Sequence, residues 1–124
     1  MDRKKELMDY LEDYLESCRV HGESTLNGNY KEGNKAYKKI DKIFNIAKNS
    51  DDQEAFYLEI LEKSNNANTL TWCCINMLKL SIKPKMARAK LKEIAKDKNI
   101  HPIFKSNAQL TLQEWDKGNI KPID

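Results

Sequence analysis

Apolar residues recur along this chain every three or four positions, and no stretch alternates with the period of two expected of a half-buried strand. Leu7, Leu11, Tyr14 and Cys18 form one stripe, with Glu6, Asp9, Asp13 and Glu16 on another side. This predicts a first helix over about residues 4–21, stopped by Gly22 and followed by a polar loop over 23–29. Gly28-Asn29 reads as a turn with Tyr30 packed across the start of the next helix. Gly33 and Asn34 mark a place where a neighbouring helix approaches closely.

Ala36, Tyr37, Ile40, Ile43, Phe44 and Ala47 predict the buried face of a second helix over about 30–48. A third is expected over about 51–63, with Ser50 or Asp51 as its cap and Ala55, Leu58 and Leu61 inward, joined by part of Phe56 and Ile60. Ser64-Asn65-Asn66 is a turn. The fourth helix, over about 68–80, is apolar almost all round, the pattern of a helix covered on several sides. Ser81 is the expected cap of the fifth, which has Pro84 in its first turn and runs to about residue 98. Pro102 opens a sixth that ends near residue 117, with Gly118 as its stop and 119–124 as a loose tail.

The fold class is therefore all-α, in one domain spanning 1–124. Short connections predict six antiparallel helices. Their length per helix and turn matches the pairs of HEAT and armadillo repeats, which predicts a short right-handed α-solenoid. Small residues on the last three helices, Cys73, Cys74, Ala87, Ala95 and Ala108, suit close packing of such pairs.

Charge changes sign from helix to helix. Residues 1–20 hold six acids and four bases, and 31–48 hold six bases and two acids. Residues 51–64 hold five acids and one base, and 79–98 hold eight bases and two acids. Such blocks suit pairing between neighbours or separate surfaces for separate partners. An odd number of cysteines, Cys18, Cys73 and Cys74, two of them adjacent, is a poor disulfide framework. They read as reduced apolar residues of a cytoplasmic protein. The start lacks an apolar signal region, and no apolar run approaches the roughly 20 residues that cross a bilayer.

Gly28-Asn29-Tyr30-Lys31, Asn34-Lys35 leading into Ile40-Asp41-Lys42-Ile43, Trp72-Cys73-Cys74, Ala87 with Leu91 and Ile94-Ala95, and Ala108, Leu112 and Trp115-Asp116-Lys117-Gly118 follow one another in order. In this order they resemble a bacterial family of small HEAT-like helical domains of unknown function, DUF2019. Leu70-Thr71 stands where that family tends to have Val-Arg, so any role of that arginine is lost. The resemblance implies a compact right-handed helical stack and no activity. Members resemble small proteins encoded beside bacterial toxin genes, which implies an immunity role by analogy.

Reaction chemistry finds no motif. Two distant histidines, His21 and His101, do not make a metal site, and no Glu-x-x-His pair is present. The cysteines of the fourth helix lie in an uncharged apolar stretch that raises a thiol pKa. Gly28 and Gly33 lack the Lys-Ser or Lys-Thr of a phosphate loop. The expected protein is therefore not an enzyme and takes no cofactor and no metal. The leading reading is a protein-binding scaffold, an immunity- or antitoxin-like protein that neutralises a basic toxin domain such as a nuclease. Its candidate contacts are Glu6, Asp9, Asp13, Glu16, Asp51, Asp52, Glu54, Glu59, Glu62 and Trp72. Trp115 reads as core, and Trp72 stands open between core and interface anchor. The alternative is phosphate contact through two basic rows, Lys31, Lys35, Lys38 and Lys42 on the second helix and Lys85, Arg88, Lys92 and Lys96 on the fifth. Against it, lysines also keep an ordinary exposed face soluble, and Glu32, Asp41, Glu93 and Asp97 dilute the field. No membrane contact is expected.

Overall fold

The structure is a computed structural model that describes residues 5–123. The chain divides into two compact units, Met1–Ser64 and Asn65–Asp124. The first holds a 3-10 turn, Leu7–Tyr10, and helices α1 (Leu11–Asn27), α2 (Tyr30–Lys48) and α3 (Gln53–Lys63). The second holds α4 (Ala67–Lys79), α5 (Pro84–Lys96) and α6 (Pro102–Asp116). The protein is all-α, with six α-helices and no strand among the described residues. No helix among them is long and apolar enough to cross a membrane.

In the first unit the 3-10 turn starts from a reciprocal cap in which the Glu6 N–H donates to the Asp9 carboxylate at 2.8 Å. The first helix does not stop at Gly22. Gly22 is buried inside α1, which continues to Asn27. The Ser24 and Thr25 hydroxyls donate back to the His21 carbonyl at 2.9 and 3.0 Å, so these polar residues are accommodated in the helix rather than in a loop. Gly28 makes the stop: its φ of 77° is left-handed, and its N–H reaches the Ser24 carbonyl. Asn29 then caps α2, accepting from the Glu32 N–H at 3.3 Å. The two-residue link returns α2 along α1 as a helical hairpin. A Cβ on Gly33 would lie 2.6 Å from Ser24 Oγ, so the close approach expected there is present and is made to α1.

The first core is aromatic. Tyr14, Phe56 and Tyr57 are fully buried, with ring centroids 5.1 to 5.8 Å apart in edge-to-face pairs. This cluster corrects the expected face of α3. Phe56, Tyr57 and Ile60 point inward, Leu58 and Leu61 are half-buried, and Ala55 is exposed. An aromatic ring buries far more area than an alanine, so the helix turns to cover the larger side chains. Neither Ser50 nor Asp51 caps α3. Asp52 holds that position without a side-chain bond, while the Ser50 hydroxyl donates back to Ile46 O at 2.9 Å. The Gln53 amide closes the turn on Ala47 O at 3.0 Å.

In the second unit the Asn66 side chain caps α4, accepting from the Thr69 N–H at 3.0 Å. Nine of its 13 residues are buried, including Leu70, Cys73, Cys74, Met77 and Leu78. Ser81 does not cap α5. It occupies the left-handed position that ends α4, with φ 58°. Its N–H bonds Leu78 O, and the next N–H, of Ile82, bonds Met77 O at 2.9 Å. Ile82 is buried, so this hydrophobic contact fixes the turn and takes Ser81 away from capping. Pro84 is the first residue of α5, after Lys83 at φ 37°.

The helix α5 packs on both α4 and α6, with Ala87, Leu91, Ile94 and Ala108 buried. Gly118, at φ 79°, ends α6 with the same pair of bonds: Gly118 N–H to Trp115 O and Asn119 N–H to Glu114 O. The tail expected to be loose is tied at Ile123, whose N–H donates to the Lys79 carbonyl at 2.7 Å and satisfies one open acceptor at the end of α4.

Candidate functional site

Among the described residues no group of three or more His, Cys, Asp and Glu is placed to hold a metal ion. The three cysteines are buried thiols. Burial pushes Cys74 up to about 12 and raises Cys18 as well, so neither supplies a thiolate at neutral pH. His101 Nδ1 accepts from the Ile103 N–H at 3.1 Å and caps α6. His21 is half-buried, and desolvation lowers its pKa. The charged residues on the surface differ in whether the fold already engages them.

The candidate acids fall into two groups. On the 3-10 turn and α1 they are engaged: Glu6 and Asp9 in their mutual cap, Asp13 with Lys5 at 3.9 Å, and Glu16 with Arg19 at 2.6 Å. The Arg19 guanidinium, which also holds Glu23, keeps the Glu16 carboxyl below its ordinary value. At the α2–α3 turn and along α3 the situation is reversed. Asp51, Asp52, Glu54, Glu59 and Glu62 are all exposed, and none has an ion-pair partner among the described residues. The one base of this block, Lys63, reaches away to Glu12 at 3.2 Å.

The basic rows divide in the same way. Lys31, Lys35, Lys38 and Lys42 of α2 are exposed, without an ion pair among the described residues. On α5, Lys85 and Lys96 are exposed, but Arg88 is held in a two-pronged pair by Asp116 of α6, at 3.0 and 2.9 Å. Arg88 accordingly has its pKa raised and Asp116 its pKa lowered, each by hydrogen bonding to the other. Lys92 lies close enough to favour the Asp116 anion too.

The structure also brings together residues the sequence assigned to opposite surfaces. Glu6, Asp51 and Asp52 line the same open trough of the first unit as Lys38, Asp41 and Lys42, with a volume of about 890 Å³. A smaller groove of about 240 Å³ between α1 and α2 joins Asp13 and Glu16 to Lys35 and Lys39. Glu54, Glu59 and Glu62 line neither. Trp72 and Trp115 are both half-buried.

Two tyrosines were missed. Tyr30 was expected to pack and is 81% exposed, and Tyr37 was expected inward and is 47% exposed. At 3.6 residues per turn Tyr37 falls at the edge of the stripe set by Ala36, Ile40, Ile43 and Ala47, which is the signal that places it outside. As the first residue of α2, Tyr30 has no preceding turn of its own helix to lie against. No family model, curated protein or solved structure matches this chain.

Proposed function

We propose that the chain is a non-enzymatic protein-binding scaffold, an immunity- or antitoxin-like protein. In this reading its helices form a short HEAT-like stack that covers the working surface of a basic toxin domain such as a nuclease. The observation that carries the reading is the set of exposed carboxylates Glu54, Glu59 and Glu62 on α3, which have no ion pair among the described residues and lie outside the trough that Asp51 and Asp52 share with Lys38 and Lys42. Carboxylates that the fold does not neutralise set up a field that draws a basic partner and orients its approach. Helices held by a packed aromatic core lose little conformational freedom on association. The acids of α1 contribute less, because Arg19 pairs with both Glu16 and Glu23 and offsets one of their two charges.

Co-expression tests this reading. The product of the reading frame beside this gene, expressed alone, should arrest growth. Expressed with this chain it should be tolerated, and the two should purify as a complex. Replacing Glu54, Glu59 and Glu62 by glutamine should restore toxicity and weaken the complex. A neighbouring product that is harmless, or a complex indifferent to the three replacements, overturns the reading.

A further inference from the structure

Asn27 ends α1, and Gly28 follows it in the left-handed stop position. No other asparagine of the chain stands before a glycine. Such a pair carries an electrophile beside a nucleophile. The backbone nitrogen of the second residue can attack the side-chain carbonyl carbon of the first and close a five-membered ring. A Cβ on the second residue hinders that approach, and glycine has none. Here both residues are exposed, and beyond the chain neighbours no heavy atom lies within 4 Å of where a Cβ on Gly28 would stand.

The Asn29 N–H donates to Asn27 Oδ1 at 2.8 Å. This Asx turn bends the side chain back over the Gly28 peptide, and the bond polarises the carbonyl that would be attacked. One contact opposes the reaction: the Gly28 N–H is held by the Ser24 carbonyl at 2.9 Å. It belongs to the last turn of a helix, where bonds open at little cost in free energy. Asn49 before Ser50 differs on each count. Its side-chain amide donates to Asn45 O, and Ser50 is half-buried with its own hydroxyl bonded to Ile46 O.

We propose that Asn27 is a site of spontaneous deamidation, gated by opening of the last turn of α1. Once the bond to Ser24 breaks, Gly28 N gives up its proton and forms a C–N bond to Asn27 Cγ. The C–NH2 bond breaks, and the side-chain nitrogen takes up a proton and leaves as ammonia. Water then opens the succinimide at either carbonyl, giving aspartate or isoaspartate. One water enters, one ammonia leaves, and nothing is oxidised or reduced. Both products disturb the α1–α2 hairpin. A carboxylate at the C-terminal end of α1 opposes the helix dipole. Isoaspartate also adds a carbon to the backbone next to the two-residue link, beside the close approach of Ser24 to Gly33. This inference does not depend on the toxin-binding reading, since it concerns other residues and needs no partner.

Peptide mapping by mass spectrometry after prolonged incubation at pH 8 tests it. The mass gain of replacing NH2 by OH should appear first in the peptide containing Asn27, with isoaspartate the larger product. Asn27→Gln, its fold checked by unchanged helical circular dichroism, should remove that gain. Unfolding the chain in urea should speed the gain, because the gate is then open. The aged, isoaspartate-containing fraction should melt below the fresh protein. No gain in the folded protein when the urea-unfolded chain shows one overturns the proposal. So does a gain that persists in Asn27→Gln or is no faster in urea, and so does an aged fraction that melts with the fresh one.

Discussion

Helices α2 and α5 each carry four basic residues at helical spacing, and along the sequence the two rows look interchangeable. The fold treats them differently. On α2 all four side chains are exposed, without ion pairs among the described residues. On α5 the single arginine is gripped by Asp116, and Lys90 beside the row sits 3.5 Å from Glu93. The acidic blocks repeat the contrast, engaged on α1 and unengaged on α3. Surface charge becomes available to a partner only where intramolecular pairing has not already used its field, and that depends on which helices are neighbours.

The comparison is broken most completely by removing the seat of either helix. Ile40→Ala under α2 and Leu91→Ala under α5 each empty a fully buried position, and each should cost about 2–5 kcal/mol in urea unfolding. Gly33→Val comes next. Its side chain would meet Ser24 where α2 lies against α1, and it should cost about 1–3 kcal/mol, partly recovered by adding Ser24→Ala.

Asp116→Asn sharpens the contrast more gently. It leaves Arg88 unpaired, makes α5 resemble α2, and should raise the affinity of the protein for polyanions slightly while lowering its melting temperature slightly. The same pair sets a pH dependence. Asp116 has a folded-state pKa below its ordinary 3.8 because Arg88 bonds its anion. Its unfolded form therefore binds the proton first. The contribution is present above the ordinary carboxylate range and is lost as pH falls through the lowered value. Glu16, held by Arg19, behaves alike. Thermal melts from pH 7 to pH 2 should show destabilisation at the acid end that is smaller in Asp116→Asn and in Glu16→Gln. The smallest signal is chemical: at pH 8 the native thiols should resist iodoacetamide and become labelled only on unfolding.

Much of the fold was legible because burial leaves a period in the sequence. Leu7, Tyr14 and Cys18, then Ile40, Ile43 and Ala47, then Ala87, Leu91 and Ile94 are buried where the spacing puts them. The apolar run of α4 announced its coverage. The misplaced details share a cause. Gly22, Ser81 and Ser50 have the residue types of breakers and caps, but hydrogen bonds and burial nearby decided whether those roles were taken. On α3 two apolar faces competed, and the aromatic contacts with Tyr14, far along the chain, chose between them.

The candidate surfaces were legible only as residue types. Whether a charge is engaged rests on pairs such as Arg88 with Asp116, 28 residues apart, and Lys63 with Glu12, 51 apart, which no local pattern displays. The exposure of Tyr30 was hidden for the opposite reason: a tyrosine after a glycine turn looks like a packing residue until the neighbouring helix is in place.

The central claim is that the unengaged carboxylates of α3 draw in a basic partner. Its most direct measurement is the stopped-flow association rate with the product of the adjacent reading frame, followed across ionic strength. The account predicts a rate that falls steeply with added salt, and a Glu54→Gln, Glu59→Gln, Glu62→Gln variant at least about tenfold slower at low salt with a flattened dependence. A rate that ignores salt and is the same in the variant contradicts it.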